Sequence, residues 1–287
     1  MKQYLISILL VSLLAGHVCA QEISTLAAMF QGCERHCGTY PGNGYKSLGN
    51  VKWKFKTHGK IFSSPVVMNG FAYIGSEDSC LYAVDIASGK LKWKFRTKGV
   101  VHSSPAVYEN TVYFGSFDGY YYAVDASTGH EKWKVKTGGE KWVGGTGYWG
   151  MKPIDQHMND PWDLFLSSPV VGKIDSDPTV YFGSSDGNLY AVAAADGSLK
   201  WKFPTEGIVH TTPALYDQTV YIGSWDTYLY AIDSNTGKLK WKFKTGIQPG
   251  MTGIQASPTI ADGVVYFGAR DAKLYALNAF TGEPVWK

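Results

Sequence analysis

The chain of 287 residues carries 27 lysines and arginines against 24 aspartates and glutamates, a formal charge of +3. So even a balance gives no electrostatic footprint for a nucleic-acid partner. No stretch beyond the first 20 residues approaches the length and apolarity of a membrane helix.

Residues 1–20 begin with Met1-Lys2, continue through an apolar stretch from Tyr4 to Gly16 and end in Val18-Cys19-Ala20. A positive start, a short apolar core and small residues before Gln21 predict a secretory signal cleaved after Ala20, with delivery to the periplasm or the exterior. Lipid attachment at Cys19 fits less well, because His17 and Val18 precede it. The mature chain, 21–287, loses only Lys2 among its charges.

Residues 21–50 hold six glycines and prolines from Gly32 to Gly49, with Asn43 among them, and no sustained period, which predicts an irregular lead-in. Cys33, Cys37 and Cys80 remain after cleavage, an odd count. An exported protein permits a disulfide, so Cys33 and Cys37 are either paired by a turn of the chain or free thiols. The haem spacing Cys-x-x-Cys-His is absent, and a metal at these cysteines has no nameable fourth ligand.

From residue 51 to 287 one pattern governs the chain. Ala83 to Trp93 has the form Ala-x-Asp-x-x-Ser/Thr-Gly-x-x-x-Trp, and it returns at Ala123–Trp133, Ala191–Trp201, Ala231–Trp241 and Ala276–Trp286. Ala and Trp are ten residues apart in every copy, whereas successive tryptophans are 40, 68, 40 and 45 residues apart. Each unit starts with a Ser-Ser-Pro-type strand and continues with an aromatic strand ending in Gly-Ser, as in Val112 to Ser116. A turn carrying Asp78, Asp118, Asp186, Asp226 or Asp271 follows, then a Leu-Tyr-Ala-Val-Asp-type strand and a Lys-Trp-Lys-Phe-type strand. Four short strands joined by tight turns predict an antiparallel blade, and a period near 40 predicts an all-β propeller of five such units. Lys52 to Thr57 is a further outer strand, carrying Trp53, without the three strands that should precede it. Alternation of Lys with Trp, Phe or Val in these strands puts the charges on a solvated edge, where they discourage sheet-to-sheet aggregation.

The motif residues have structural roles. Gly89, Gly129, Gly197, Gly237 and Gly282 are expected to take positive φ in the turn into the outer strand. Asp85, Asp125, Asp233 and Asn278 can hold that turn, with Ala193 as the exception. Trp53, Trp93, Trp133, Trp201, Trp241 and Trp286 are expected to dock on neighbouring blades. About 150–250 Å² buried per indole corresponds to roughly 4–6 kcal/mol gross for each junction.

This repeat, with Tyr-Phe-Gly-Ser-x-Asp-Gly-x-Leu-Tyr-Ala, resembles the tryptophan-docking repeat of the pyrroloquinoline quinone (PQQ)-like β-propellers, over residues 51–287. That family includes quinoprotein alcohol dehydrogenases and the outer-membrane assembly lipoprotein BamB. Met29-Phe30-Gln31-Gly32 with His36, Gly38 and Tyr40, and Asp160-Pro161-Trp162-Asp163, also resemble a group of exported PQQ-like repeat proteins. The resemblance implies six to eight blades, so five units read as an incomplete ring lacking two or three. A dehydrogenase of this family would carry adjacent cysteines beneath the cofactor and a Glu/Asn/Asp calcium set. Neither can be matched here, so no catalytic residue, metal or cofactor is expected, PQQ being the one cofactor the resemblance makes conceivable.

Three groups of residues stand outside the repeat. Three positions before each repeat proline lie Phe62, His102, Leu166, His210 and Gln255, where a propeller borders its axial funnel. There the histidines are candidates for holding an anion or polar ligand, or for satisfying nearby carbonyls. Immediately before each turn aspartate lie Glu77, Phe117, Ser185, Trp225 and Arg270, different in every unit on a fixed scaffold. The third group is an insert, 138–164, that adds 28 residues to one unit and holds Trp142, Tyr148, Trp149, His157 and Trp162, as a lid, a partner-docking patch or a structural flap. Gly145-Thr146-Gly147-Tyr148-Trp149-Gly150 inside it matches Gly-x-Gly-x-x-Gly but lacks the strand and helix a dinucleotide site needs. The expectation is a noncatalytic exported scaffold that binds a protein or envelope component, with a small-ligand funnel as the alternative.

Overall fold

A computed structural model describes residues 27–38, 49–140, 144–146, 157–159, 166–174, 177–246 and 253–286. Five four-stranded antiparallel sheets account for almost all of its regular structure, each strand pairing with the next in sequence. Blade 1 comprises Val66–Met68, Phe71–Ser76, Cys80–Asp85 and Leu91–Arg96. Blade 2 comprises Ala106–Tyr108, Thr111–Ser116, Tyr120–Asp125 and Glu131–Lys136. Blade 3 comprises Val170–Ile174, Asp177–Gly183, Asn188–Ala193 and Leu199–Pro204. Blade 4 comprises Ala214–Tyr216, Thr219–Gly223, Tyr228–Asp233 and Leu239–Lys244; blade 5 comprises Thr259–Ala261, Val264–Ala269, Lys273–Asn278 and Pro284–Trp286.

The core is not central but lies between blades. Separate apolar clusters join blades 1 and 2, 2 and 3, 3 and 4, and 4 and 5. They form because the alternating strands bury one face on each neighbour, as with Leu81, Leu189 and Leu229, each fully buried.

The opening motif is the joint. Trp93 Nε1–H donates to the Ala126 carbonyl of blade 2 at 2.9 Å. Trp133, Trp201 and Trp241 repeat the bond to Ala194, Ser234 and Ala279 of the following blade. The acceptor is always the residue after the motif Asp, Asn or Ala193, three before the motif Gly. That glycine has φ near +75°, and a Cβ on Gly129 would lie 2.7 Å from the Trp93 ring. Glycine is therefore required twice over, by the turn and by the incoming indole. In blade 3, where Ala193 lacks a carboxylate, Asp196 accepts from Ser198 N instead.

Two further devices repeat at the opposite end of each blade. The turn aspartate accepts the hydroxyl of the tyrosine four residues on, as Asp78 does from Tyr82 and Asp226 from Tyr230. The same carboxylate accepts a backbone N–H from the end of the preceding outer strand: His58, Lys98, Gly138, Glu206 and Gly246 in turn. The Ser-Ser-Pro strands form a hydroxyl ladder around the inner rim. Ser64 N donates to Ser104 Oγ, Ser104 N to Ser168 Oγ, Ser168 N to Thr212 Oγ1, and Thr212 N to Ser257 Oγ.

Residues 51–57 belong to no ladder among the described residues, in contrast to the outer strand predicted there. Their side chains nevertheless dock as an outer strand does. Trp53 Nε1–H donates to Ile86 O, its ring lies against Gly89, and Phe55 meets Tyr82 edge to face. At the other end of the array, Trp286 is 46% exposed and Leu274 55% exposed, whereas Trp93 and Trp133 are 9% exposed.

The described part of the lead-in, residues 27–38, has a place. Ala27–Ala28 pairs with Val107 and Tyr108 on the inner edge of blade 2, and Met29 is buried in the cluster between blades 2 and 3. Further along, the Glu34 carbonyl accepts from Leu215 N of blade 4 and the Arg35 carbonyl from Ile260 N of blade 5. This segment thus runs along the inner strands of the array and satisfies edge groups that would otherwise face the channel. Cys33 and Cys37 form a disulfide within it, while Cys80 is free and buried in blade 1.

Candidate functional site

The repeat's own polar groups are committed to joining blades. What distinguishes one blade from the next at the crossover end is the residue before the stapled aspartate and the residue three before the proline. These two sets interlock.

Backbone bonds fix the first set. Glu77 N donates to Lys60 O, Phe117 N to Val100 O, Trp225 N to Ile208 O and Arg270 N to Gly253 O. Each acceptor lies two residues before a member of the second set, so the two side chains are placed together. His102 lies between Phe62 and Phe117, with ring centroids 5.0 and 5.3 Å away, and its Nε2 is 3.6 Å from Glu77 Oε1. His210 Nε2 is 2.8 Å from Ser185 Oγ, and its ring meets Trp225 edge to face. Arg270 stacks its guanidinium 4.4 Å from the Trp225 ring centroid. Gly253 permits this packing: a Cβ there would lie 2.5 Å from Trp225 Cα.

Blade 3 breaks the backbone pattern because the insert displaces the crossover. Ser185 N donates to Glu140 Oε2, so a side-chain carboxylate replaces the usual carbonyl. Glu140 also accepts from Ser184 Oγ and Ser185 Oγ. With the Ser185 proton directed to Glu140, the Nε2–H tautomer of His210 donates to Ser185. The sequence reading missed Glu140, whose only signal is its position at the start of the insert, two residues after Gly138.

His102 and His210 are 4% and 3% exposed. They brace the belt from within rather than lining open space. Leu166 is buried too, and Gln255 is half-buried beside buried Ile254. Glu77, Phe117, Trp225 and Arg270 are the half-buried members that reach the surface. Beneath them, burial pushes the Asp186 carboxyl up. The hydrogen bonds from Tyr190, Gly138 N and Asn188 outweigh that, holding it below the usual carboxylate range. Of the insert's candidates, Trp142, Tyr148, Trp149 and Trp162 lie outside the described residues. His157 falls in a short strand, His157–Asn159, paired antiparallel with Gly144–Thr146.

A family model described as outer membrane protein assembly factor BamB matches residues 46–147 and 143–287. No match was found among curated proteins. Among solved structures, BamB from Moraxella catarrhalis is similar with a TM-score of 0.64 and 18% identity, over 83% of this chain and 67% of that one. Quinohemoprotein alcohol dehydrogenase from Comamonas testosteroni gives 0.60 and 19% identity, over 79% of this chain and 42% of that one. A europium-containing methanol dehydrogenase gives 0.64 and 17%, over 83% and 52%. The chain thus spans about two thirds of the BamB structure and about half or less of the dehydrogenases, and at these identities the likeness is one of fold. The family match covers every blade, and the chain belongs to the PQQ-repeat family described as outer membrane protein assembly factor BamB.

Proposed function

We propose that this protein is a noncatalytic docking scaffold of the cell envelope, exported through its N-terminal signal, whose protein partner binds the crossover face. The observation that carries this reading is the Trp225–Arg270 stack. An indole and a guanidinium, 4.4 Å apart and half-buried, sit on a rigid belt braced by His210, Ser185 and Glu140. Trp and Arg are the residue types that most often anchor protein interfaces, and a braced pair loses little entropy on binding. Gly138 and Glu140, at the root of the insert, are bonded to the same belt.

PQQ chemistry, which the dehydrogenase neighbours bring to mind, does not fit the residues present. Cys33 is bonded to Cys37 in the lead-in and Cys80 is buried inside blade 1, so the described cysteines offer no adjacent pair beneath a cofactor. The lead-in also occupies space along the inner strands of blades 2, 4 and 5.

Crosslinking of the exported protein in envelopes, followed by isolation of the adduct, tests the scaffold reading. A single partner is expected, lost by at least tenfold with Trp225→Ala and Arg270→Ala and retained with His102→Ala. Dye reduction with alcohols or sugars in the presence of PQQ and calcium would overturn the reading.

A further inference from the structure

Blades 2, 3 and 4 share a lysine lock, and blade 1 keeps the lysine but not its partner. In blade 2, Lys132 Nζ donates to Thr111 Oγ1 at 2.7 Å and to Asn110 O at 3.1 Å. In blade 4, Lys240 makes the same bonds to Thr219 and Gln218 O, and in blade 3 Lys200 bonds Thr179 and Asp177. The threonine lies at the start of the second strand and the lysine precedes the docking tryptophan, so the lock spans these three blades at the end opposite the crossovers. Blade 1 has Phe71 where blades 2, 3 and 4 have threonine, whereas blade 5 has Val264 and Val285 and so lacks both partners. The lysine of blade 1, Lys92, has no hydroxyl to reach and sits 5.8 Å from the Phe71 ring centroid with no hydrogen bond among the described residues.

The consequence is a cleft of about 160 Å³ between blades 1 and 2, lined by Asn69, Phe71, Tyr73, Lys92, Asn110 and Ser127, with Ala126 at its back. Asn69 stands where blades 2, 4 and 5 have Glu109, Asp217 and Asp262, so an acid is missing from the rim just where a lysine is released. Asp125 is already engaged by Asn110 Nδ2 and lies 3.9 Å from Lys132, and Asp85, paired across the strands with Phe71, accepts from Ser88 N and Ser88 Oγ. Tyr73 and Trp93 both direct their polar hydrogens to Ala126 O, which leaves the floor apolar. An aromatic ring, an uncommitted ammonium, an amide and a hydroxyl therefore surround a space of about one sugar ring.

We propose that this cleft binds a single carboxylate-bearing pyranose, a sugar of the uronic-acid class. The Phe71 ring takes the C–H face of the pyranose, and Lys92 forms a charge-assisted hydrogen bond to the carboxylate. Asn69 meets the ring hydroxyls, and Ser127 Oγ, whose own proton goes to Asn110 Oδ1, accepts from one of them. The site lies on the face away from the Trp225–Arg270 belt and stands or falls independently of the partner-docking reading.

Saturation-transfer NMR and calorimetry on the intact chain test it, with glucuronate, glucose and glutarate as probes. Glucuronate is expected to bind, glucose to bind at least about tenfold more weakly for want of the charge-assisted bond, and glutarate to give no signal. Phe71→Thr introduces the threonine of blades 2, 3 and 4, recaptures Lys92 and is expected to abolish glucuronate binding. Lys92→Gln, at an exposed site with no structural bond, is expected to weaken it by about tenfold or more without moving the melting temperature. Glucuronate binding unchanged in both variants, or absent from the wild type, overturns the proposal. Glutarate binding as well as glucuronate overturns it too, and assigns the cleft to an acidic protein side chain.

Discussion

Each docking indole fills a space that only glycine leaves, and its N–H reaches one particular carbonyl. Trp133→Phe keeps most of the buried ring but removes the bond to Ala194 O, with an expected loss of about 1–3 kcal/mol. Gly197→Ala should cost more, because φ is +74° and the added Cβ would lie 2.8 Å from the Trp133 ring. Denaturant titration of the two variants against wild type checks the order. These roles were legible in the sequence, since a fixed Ala-to-Trp spacing beside a fixed Gly leaves few geometries. The mutual packing of the two variable sets was not legible. Glu77 and His102 come together only through the backbone bonds of a crossover, and such bonds carry no side-chain signature. Glu140 was hidden for a related reason, because the insert shifts it out of the register that identifies its equivalents.

At the level of elements, the blades followed from period and turn chemistry, whereas the lead-in gave no pattern because it uses backbone carbonyls whose partners lie far along the chain. Glu34 and Arg35 accept from Leu215 and Ile260, and His36 Nδ1–H donates to Pro258 O at 2.7 Å. Burial pushes the His36 pKa down to about 4, and its bond to Pro258 only partly offsets this. A histidine held neutral in the fold and titrating near 6.5 when released stabilises the docked segment fully above pH 6.5. That contribution is lost as pH falls from 6.5 through about 4, and the full loss is roughly 3 kcal/mol. The backbone amides of Leu215 and Ile260 should therefore lose hydrogen-exchange protection on going from pH 7 to pH 4.5, ahead of the blade interiors. In His36→Leu the same amides should show little difference in protection between the two pH values. The turn aspartate Asp78 responds lower on the scale. Burial raises the Asp78 carboxyl, but the hydrogen bonds from Tyr82 and His58 N outweigh it and hold it below its usual value. Its contribution is present above pH 4 and is lost only in stronger acid.

A propeller whose blades touch only their neighbours behaves as a nearly one-dimensional array, in which breaking one junction divides the cooperative unit. The junction between blades 3 and 4 combines the Trp201 bond to Ser234 O, the ring against Gly237, the ladder bond from Ser168 N to Thr212 and the apolar cluster around Leu189 and Ile222. Trp201→Ala removes the indole from this joint and weakens the coupling of blades 1–3 to blades 4 and 5. The lead-in opposes this, because it is paired to blade 2 at Ala27–Ala28 and bonded to blades 4 and 5 at Glu34, Arg35 and His36. It ties the two halves across the weakened joint as long as His36 is neutral. Trp201→Ala is accordingly expected to unfold in one transition at pH 7, at a stability lowered by about 3–5 kcal/mol. Near pH 4.5, where protonation of His36 loosens the tie, two transitions are expected, with blades 4 and 5 losing exchange protection first. Urea unfolding followed by peptide-resolved hydrogen exchange at both pH values measures this. Two transitions already at pH 7 would show that the lead-in carries no coupling and that stability resides in the blade junctions alone.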